Sequence, residues 1–197
     1  MPHFKNHRTY FTGLSLALIC AALTGCATRL SPPVTGYTCC NLRPYYSAVS
    51  SGNMLGGSIL PAGTTVSLDY VKRGTYYGYI GGDYVTLSDD SPRAEGGLPW
   101  FRQVVAQTDP KIEYSTWSPQ VQNAVLSAKV FPGMTKAQVL MALSYPPRDI
   151  TKDLSGKTWR YWTAQEEQIV DINFDADGRV TGFAGKASAV SAVEFKN

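Results

Sequence analysis

The sequence has little of the chemistry on which most enzymes depend. Its 197 residues include two histidines, His3 and His7, both within the first ten positions. From Cys26 onward there is no imidazole, which excludes Ser-His-Asp and Cys-His nucleophile arrangements and every histidine-ligated metal site. Cysteine is scarce, at four residues. No phosphate-cradling Gly-rich loop ending in Lys-Ser/Thr occurs, and no Gly-x-Ser-x-Gly. Charged residues make up 17%. With Lys5 and Arg8 set aside as part of a leader, 16 of the 18 basic side chains face 15 acidic ones, a balance without a nucleic-acid footprint. Long apolar runs are missing too: residues 11–23 form a run of 13, short of the roughly 20 a spanning helix needs. The expectation is a chain without catalytic, cofactor-binding or metal-binding residues, and not an enzyme.

What is present begins with that leader. Lys5 and Arg8, with no acidic residue near them, precede the apolar run and then small residues, the layout of a secretory signal. The run ends in Leu23-Thr24-Gly25-Cys26, which resembles the bacterial lipobox. That resemblance implies cleavage before Cys26 and lipid attachment to its sulfur; two or three acyl chains make a stable anchor where one is marginal. Ala27 stands where inner-membrane lipoproteins usually carry Asp, so the implied address is the outer membrane, facing the periplasm. Residues 26–36 are small, polar and Pro-containing, as in an extended tether.

Of the four cysteines, Cys20 lies in the leader and Cys26 at the anchor, leaving the adjacent pair Cys39-Cys40. In an oxidising compartment lone thiols tend to pair. A disulfide between the two, packed structural thiols, pairing elsewhere and a redox role all stay open at this level.

From residue 42 to 87, short apolar stretches alternate with turn residues: Thr65-Val-Ser-Leu-Asp-Tyr-Val71, Thr75-Tyr-Tyr-Gly-Tyr-Ile80 and Tyr84-Val-Thr-Leu87, separated by Lys-Arg-Gly and Gly-Gly-Asp. This spacing predicts a small antiparallel β module, and the segment resembles a bacterial Src-homology-3-like barrel. Seven of twelve tyrosines fall here. Tyrosine suits both strands and binding surfaces, so Tyr76, Tyr77 and Tyr79 are candidate interaction residues.

Residues 88–99 are polar and rich in breakers, marking a boundary; a short connecting helix follows from Trp100. Ser118-Pro119 reads as an N-cap with proline in the first turn. Thr135 with Gln138 reads as a capping box, and Tyr145-Pro-Pro147 ends that helix. Strands are expected at 158–163, 170–174 and 179–183, with Asp175-Ala-Asp-Gly178 as a turn. Pro132-Gly-Met-Thr-Lys-Ala-Gln-Val-Leu-Met-Ala-Leu-Ser-Tyr-Pro146-Pro147, the aromatic Trp159-Arg-Tyr-Trp162 and Asp175-Ala-Asp-Gly-Arg-Val180 together resemble the BamE-like (SmpA/OmlA) domain of outer-membrane lipoproteins, over about 54 of the 197 residues. Ser144 stands where that family usually has glycine. The resemblance implies an αα-βββ unit and a protein-binding role in β-barrel assembly or envelope integrity.

The expected fold class is therefore α+β: a small antiparallel β module followed by a two-helix, three-stranded meander. The expected organisation is 1–25 signal peptide, 26–36 tether, 37–90 β module, 91–117 linker with a short helix, 118–185 BamE-like domain and 186–197 tail. The expected partners are a membrane, through the lipid, and a periplasmic or outer-membrane protein such as the β-barrel assembly machinery. Peptidoglycan binding and inhibition of a periplasmic enzyme are the alternatives.

Two constellations look chemical. Asp171-x-Asn173-x-Asp175 has calcium-loop flavour, but Ala176 and Gly182 occupy the positions where an EF-hand needs Gly and Glu, so a hairpin turn is expected. Glu166-Glu167 reads as a solvated connection. Because adjacent strand residues point to opposite faces, Arg160 and Trp162 are expected outward, with Trp159 and Tyr161 inward, and form the second candidate interaction surface.

Overall fold

Strand β1 (Thr28–Thr38) opens the computed structural model, which describes residues 27–89, 100–163 and 168–196. The leader, Cys20, Cys26, most of the 88–99 boundary and Glu166-Glu167 lie outside the described residues. β1 is the first correction: the segment expected as a tether is an interior strand. It pairs antiparallel with β3 (Thr65–Lys72) on one side and with the short β6 (Val105–Ala106) on the other. Its register shifts between Arg29 and Val34. Pro32 and Pro33 fall in that gap, where missing N–H donors cost the ladder nothing.

Turn chemistry builds the rest of this sheet. Between β3 and β4 (Thr75–Ile80), Arg73 and Gly74 have φ of 49° and 82°; between β4 and β5 (Asp83–Ser88), Gly81 and Gly82 have 63° and 96°. Two successive residues at positive φ make the hairpin turn whose twist matches that of its strands. The short β2 (Ala48–Ser50) then adds to β5 in parallel, giving a curled, mixed six-stranded sheet in the order β2-β5-β4-β3-β1-β6. Alternate residues Val66, Leu68, Ile80, Val85 and Leu87 are buried with Leu42, Val49 and Trp100. Helix α1 (Phe101–Val104) closes that core with Phe101 and Val104.

The second sheet is antiparallel, β7 (Thr158–Trp162), β8 (Ile169–Phe174) and β9 (Val180–Gly185). After the single turn α2 (Lys111–Tyr114), helices α3 (Pro119–Leu126) and α4 (Lys136–Leu143) form at the expected caps. Ser118 accepts from the Val121 amide, and Thr135 and Gln138 complete a reciprocal capping box. Lys136 at the start of α4 donates to the carbonyls of Leu154, Ser155 and Gly156 at 2.8–2.9 Å. Its ammonium also lies 5.3 Å from the Trp159 ring centre and 5.2 Å from that of Phe174, each contact contributing about 0.5–1 kcal/mol.

The expected α+β class is overturned. The described residues are mostly β, 40% strand against 20% helix, with a six-stranded mixed sheet and a three-stranded one in place of the αα-βββ meander design. The physical reason is recruitment. The tether and linker segments become strands that complete the first sheet, and parallel β2 makes it mixed. The core of the second sheet is closed by Leu55 and Ala62 from the first half and by Ala189 and Val193 of α5 (Ala187–Val193), a helix within the expected tail. No helix among the described residues is long and apolar enough to cross a membrane.

Candidate functional site: an exposed tyrosine face

The outward face of β3, β4 and β5 carries a tyrosine cluster. Tyr79 of β4 lies opposite Tyr84 of β5, and Tyr77 lies opposite Tyr70 of β3. The rings of Tyr79 and Tyr84 stack edge to face at 5.7 Å, an arrangement aromatic quadrupoles favour. Tyr70, Tyr79 and Tyr84 are 42%, 49% and 53% exposed, and Tyr77 is half-buried.

A bulge puts Tyr70 there. The β3–β4 register shifts between Leu68 and Tyr70, so Asp69 is the extra residue and the inward–outward phase of β3 changes after Leu68. Gly78 sits opposite this point. A Cβ there would collide with the Ser67 carbonyl and come within 2.6 Å of the Leu68 Cα, so only glycine lets the backbones approach this closely.

A second aromatic pair flanks the sheet. Tyr45 and Tyr46 form the tip of a tight turn in which the Tyr45 amide donates to Ala48 O at 2.8 Å and the Ala48 amide donates to Tyr45 O at 3.0 Å. Tyr46 takes φ of 54° and is 89% exposed, with its ring 4.7 Å from that of Tyr45. The Thr86 amide donates to Ser47 O at 2.9 Å, tying the turn to β5. A bulky residue at positive φ is an outlier that the surrounding structure must hold in place.

The five expected interaction residues are divided by the structure. Tyr77 and Tyr79 belong to the outward face. Tyr76 does not: it points inward, with its ring 4.0 Å from that of Phe101, because period two reverses its face relative to Tyr77. Arg160 is outward on the second sheet, where its Nε lies 3.2 Å from Asp171 Oδ1, both partly solvated. Trp162 is half-buried, and its carbonyl accepts from the Leu55 amide at 2.8 Å, so a segment of the first half runs beside it. The structure therefore does not join Arg160 and Trp162 to the tyrosines.

Cys39 and Cys40 form a disulfide with each other. Cys40 is buried in the first core, and its Sγ lies 3.4 Å from the hydroxyl of buried Ser144. The flanking backbone joins the two lobes: the Cys39 amide donates to Val104 O and the Asn41 amide to Met141 O, both at 2.9 Å. Of the acidic 171–178 stretch, Asp171 and Asn173 are rungs of β8 and 175–178 is the turn, with Asp175 Oδ1 accepting from the amides of Asp177 and Arg179. Among the described residues no group of three His, Cys, Asp or Glu side chains is placed to hold a metal.

The class defined by this geometry is structural: a two-lobed, mostly β chain with an exposed tyrosine face on its first lobe. Comparison with protein-family models, with curated proteins and with solved structures finds no match to the chain.

Proposed function

We propose that this chain is a lipid-anchored, non-enzymatic protein-binding scaffold on the periplasmic face of the outer membrane, serving outer-membrane β-barrel assembly or envelope integrity. The observation that carries the binding role is the outward tyrosine face of β3–β5. Rigid rings with a hydroxyl at the tip combine apolar contact with hydrogen bonding at small entropic cost, which is why tyrosine is enriched where proteins bind. The lipobox-like Leu23-Thr24-Gly25-Cys26 supports the anchor. The BamE-like motifs of residues 132–180 support the assembly setting.

The test is in-cell photo-crosslinking from position 79 or 84 of the full lipidated chain, with position 160 on the second sheet as comparator. The expected result is capture of β-barrel assembly components from 79 and 84 and little from 160. Capture of cell-wall fragments or of one soluble enzyme instead would replace the scaffold reading with one of its two rivals.

A further inference from the structure

Arg43 lies between the lobes, in the wall of a cleft of about 330 Å³ that it shares with Leu55, Thr163, Gln168 and Ser188. Its guanidinium is poorly served by the protein. Nη1 and Nη2 each reach one carbonyl, Gly56 O and Ala128 O, at 3.5 Å, and buried Nε has no partner. Arg43 pairs with no carboxylate in the described residues, whose ion pairs are Arg160–Asp171 and Lys196–Glu194. The nearby charge is of the same sign. Burial and the Arg43 charge both hold the Lys129 amine below its ordinary range, and Lys129 spends its donors on Ser191 O and Ala192 O at 2.6 and 2.8 Å.

A half-buried guanidinium with unused donors beside a second cation is costly unless an anion compensates it. The planar fork of arginine matches a carboxylate in bidentate fashion. The cleft volume is at the small end of ligand sites, and its other walls combine the apolar Leu55 with the hydroxyl-bearing Thr163 and Ser188.

We propose that this cleft is a binding site for a small organic anion whose carboxylate pairs with Arg43. The carboxylate supplies the counter-charge that the described residues do not, and Lys129 adds to the positive potential that draws it in. The site is independent of the tyrosine face and of the scaffold reading.

The test is NMR titration of the full chain in detergent with acetyl-alanyl-alanine carrying a free carboxylate, its C-terminal amide serving as control. The expected result is saturable shifts of the Arg43 Nε–H and of the Leu55 and Ser188 amides with the acid and none with the amide. R43Q weakens binding at least tenfold and R43K retains part of it. K129Q, which keeps Arg43, weakens binding less and covers the case in which R43Q fails to fold. Equal shifts with acid and amide, or binding unchanged in R43Q, overturns the proposal. So does binding that appears only in E166Q/E167Q, which would mean that the chain supplies its own carboxylate.

Discussion

Asn41 reaches across 84 positions to donate its side-chain amide to the carbonyl of Val125 at 2.6 Å. The same Nδ2 donates to Ala142 O at 3.1 Å, and its Oδ1 accepts from the Ala62 amide. One buried side chain thus ties α3, α4 and the first-half loop together. N41A leaves these buried groups underpaired, and each such loss costs about 1–3 kcal/mol. The expected outcome in urea unfolding is a destabilisation of about 2–4 kcal/mol. A change below about 0.5 kcal/mol would show that water replaces the side chain and that the joint does not depend on it.

Ser144 ends α4 at φ 65°, ψ −174° and is 1% exposed. That conformation is essentially reserved for glycine, and other residues pay about 1–3 kcal/mol to hold it. S144G relieves the strain, loses the contact with Cys40 Sγ and gains freedom in the unfolded chain. The net expectation is stabilisation by about 1 kcal/mol, read as a higher thermal midpoint; a lower midpoint would mean that the hydroxyl contact outweighs the backbone.

Tyr161 is fully buried and its hydroxyl donates to Ser144 O at 2.9 Å. Desolvation by burial raises it well above the ordinary tyrosine range. The unfolded chain loses this proton near pH ~10 while the folded chain keeps it. The unfolded state then binds fewer protons, so stability is full below about pH 10 and falls as pH rises toward the folded-state value. Y161F should cost about 1 kcal/mol at neutral pH and make the alkaline loss shallower. Urea midpoints of both proteins measured from neutral pH to about pH 11 decide it: parallel curves would show that Tyr161 ionises as easily folded as unfolded. Burial raises Tyr114 and Tyr145 as well, so some slope persists in the variant.

G78A places a Cβ against the Ser67 carbonyl and the Leu68 Cα. The clash is with backbone, which cannot turn aside as a side chain would. A cost of about 3 kcal/mol is expected, with loss of the near-ultraviolet signal of the tyrosine face. Wild-type stability in G78A would mean that the Asp69 bulge slides to make room.

Local features were legible in the sequence and recruitment was not. Ser118-Pro119 and Thr135 with Gln138 form caps within one turn of chain, so their signals are complete in a few residues. The hairpins at Arg73-Gly74 and Gly81-Gly82 are equally local. Residues 28–36 gave no strand signal, because Pro32 and Pro33 interrupt alternation and the strand exists only by having β3 and β6 on its two sides. Tyr70 faces outward because Asp69 bulges out of β3, a break in phase that no residue pattern announces, whereas period two alone sets Tyr76 on the face opposite Tyr77 and Tyr79. Arg43 has no motif at all: its cleft draws Thr163, Gln168 and Ser188 from more than a hundred residues away.

Strand β1 also has a mechanical meaning. It begins two residues after Cys26, so any tension carried by that residue enters the body with at most about 7 Å of slack. Its rungs with β3 run from Thr28↔Val71 to Tyr37↔Thr65, and ladder hydrogen bonds stand perpendicular to the strand. A pull along β1 therefore loads these rungs together in shear instead of peeling them one at a time. An anchored copy would resist being drawn away from its attachment, and because Tyr70 pairs directly with Arg29 of β1, the load would reach the near edge of the tyrosine face, with Tyr79 and Tyr84 one and two strands beyond it.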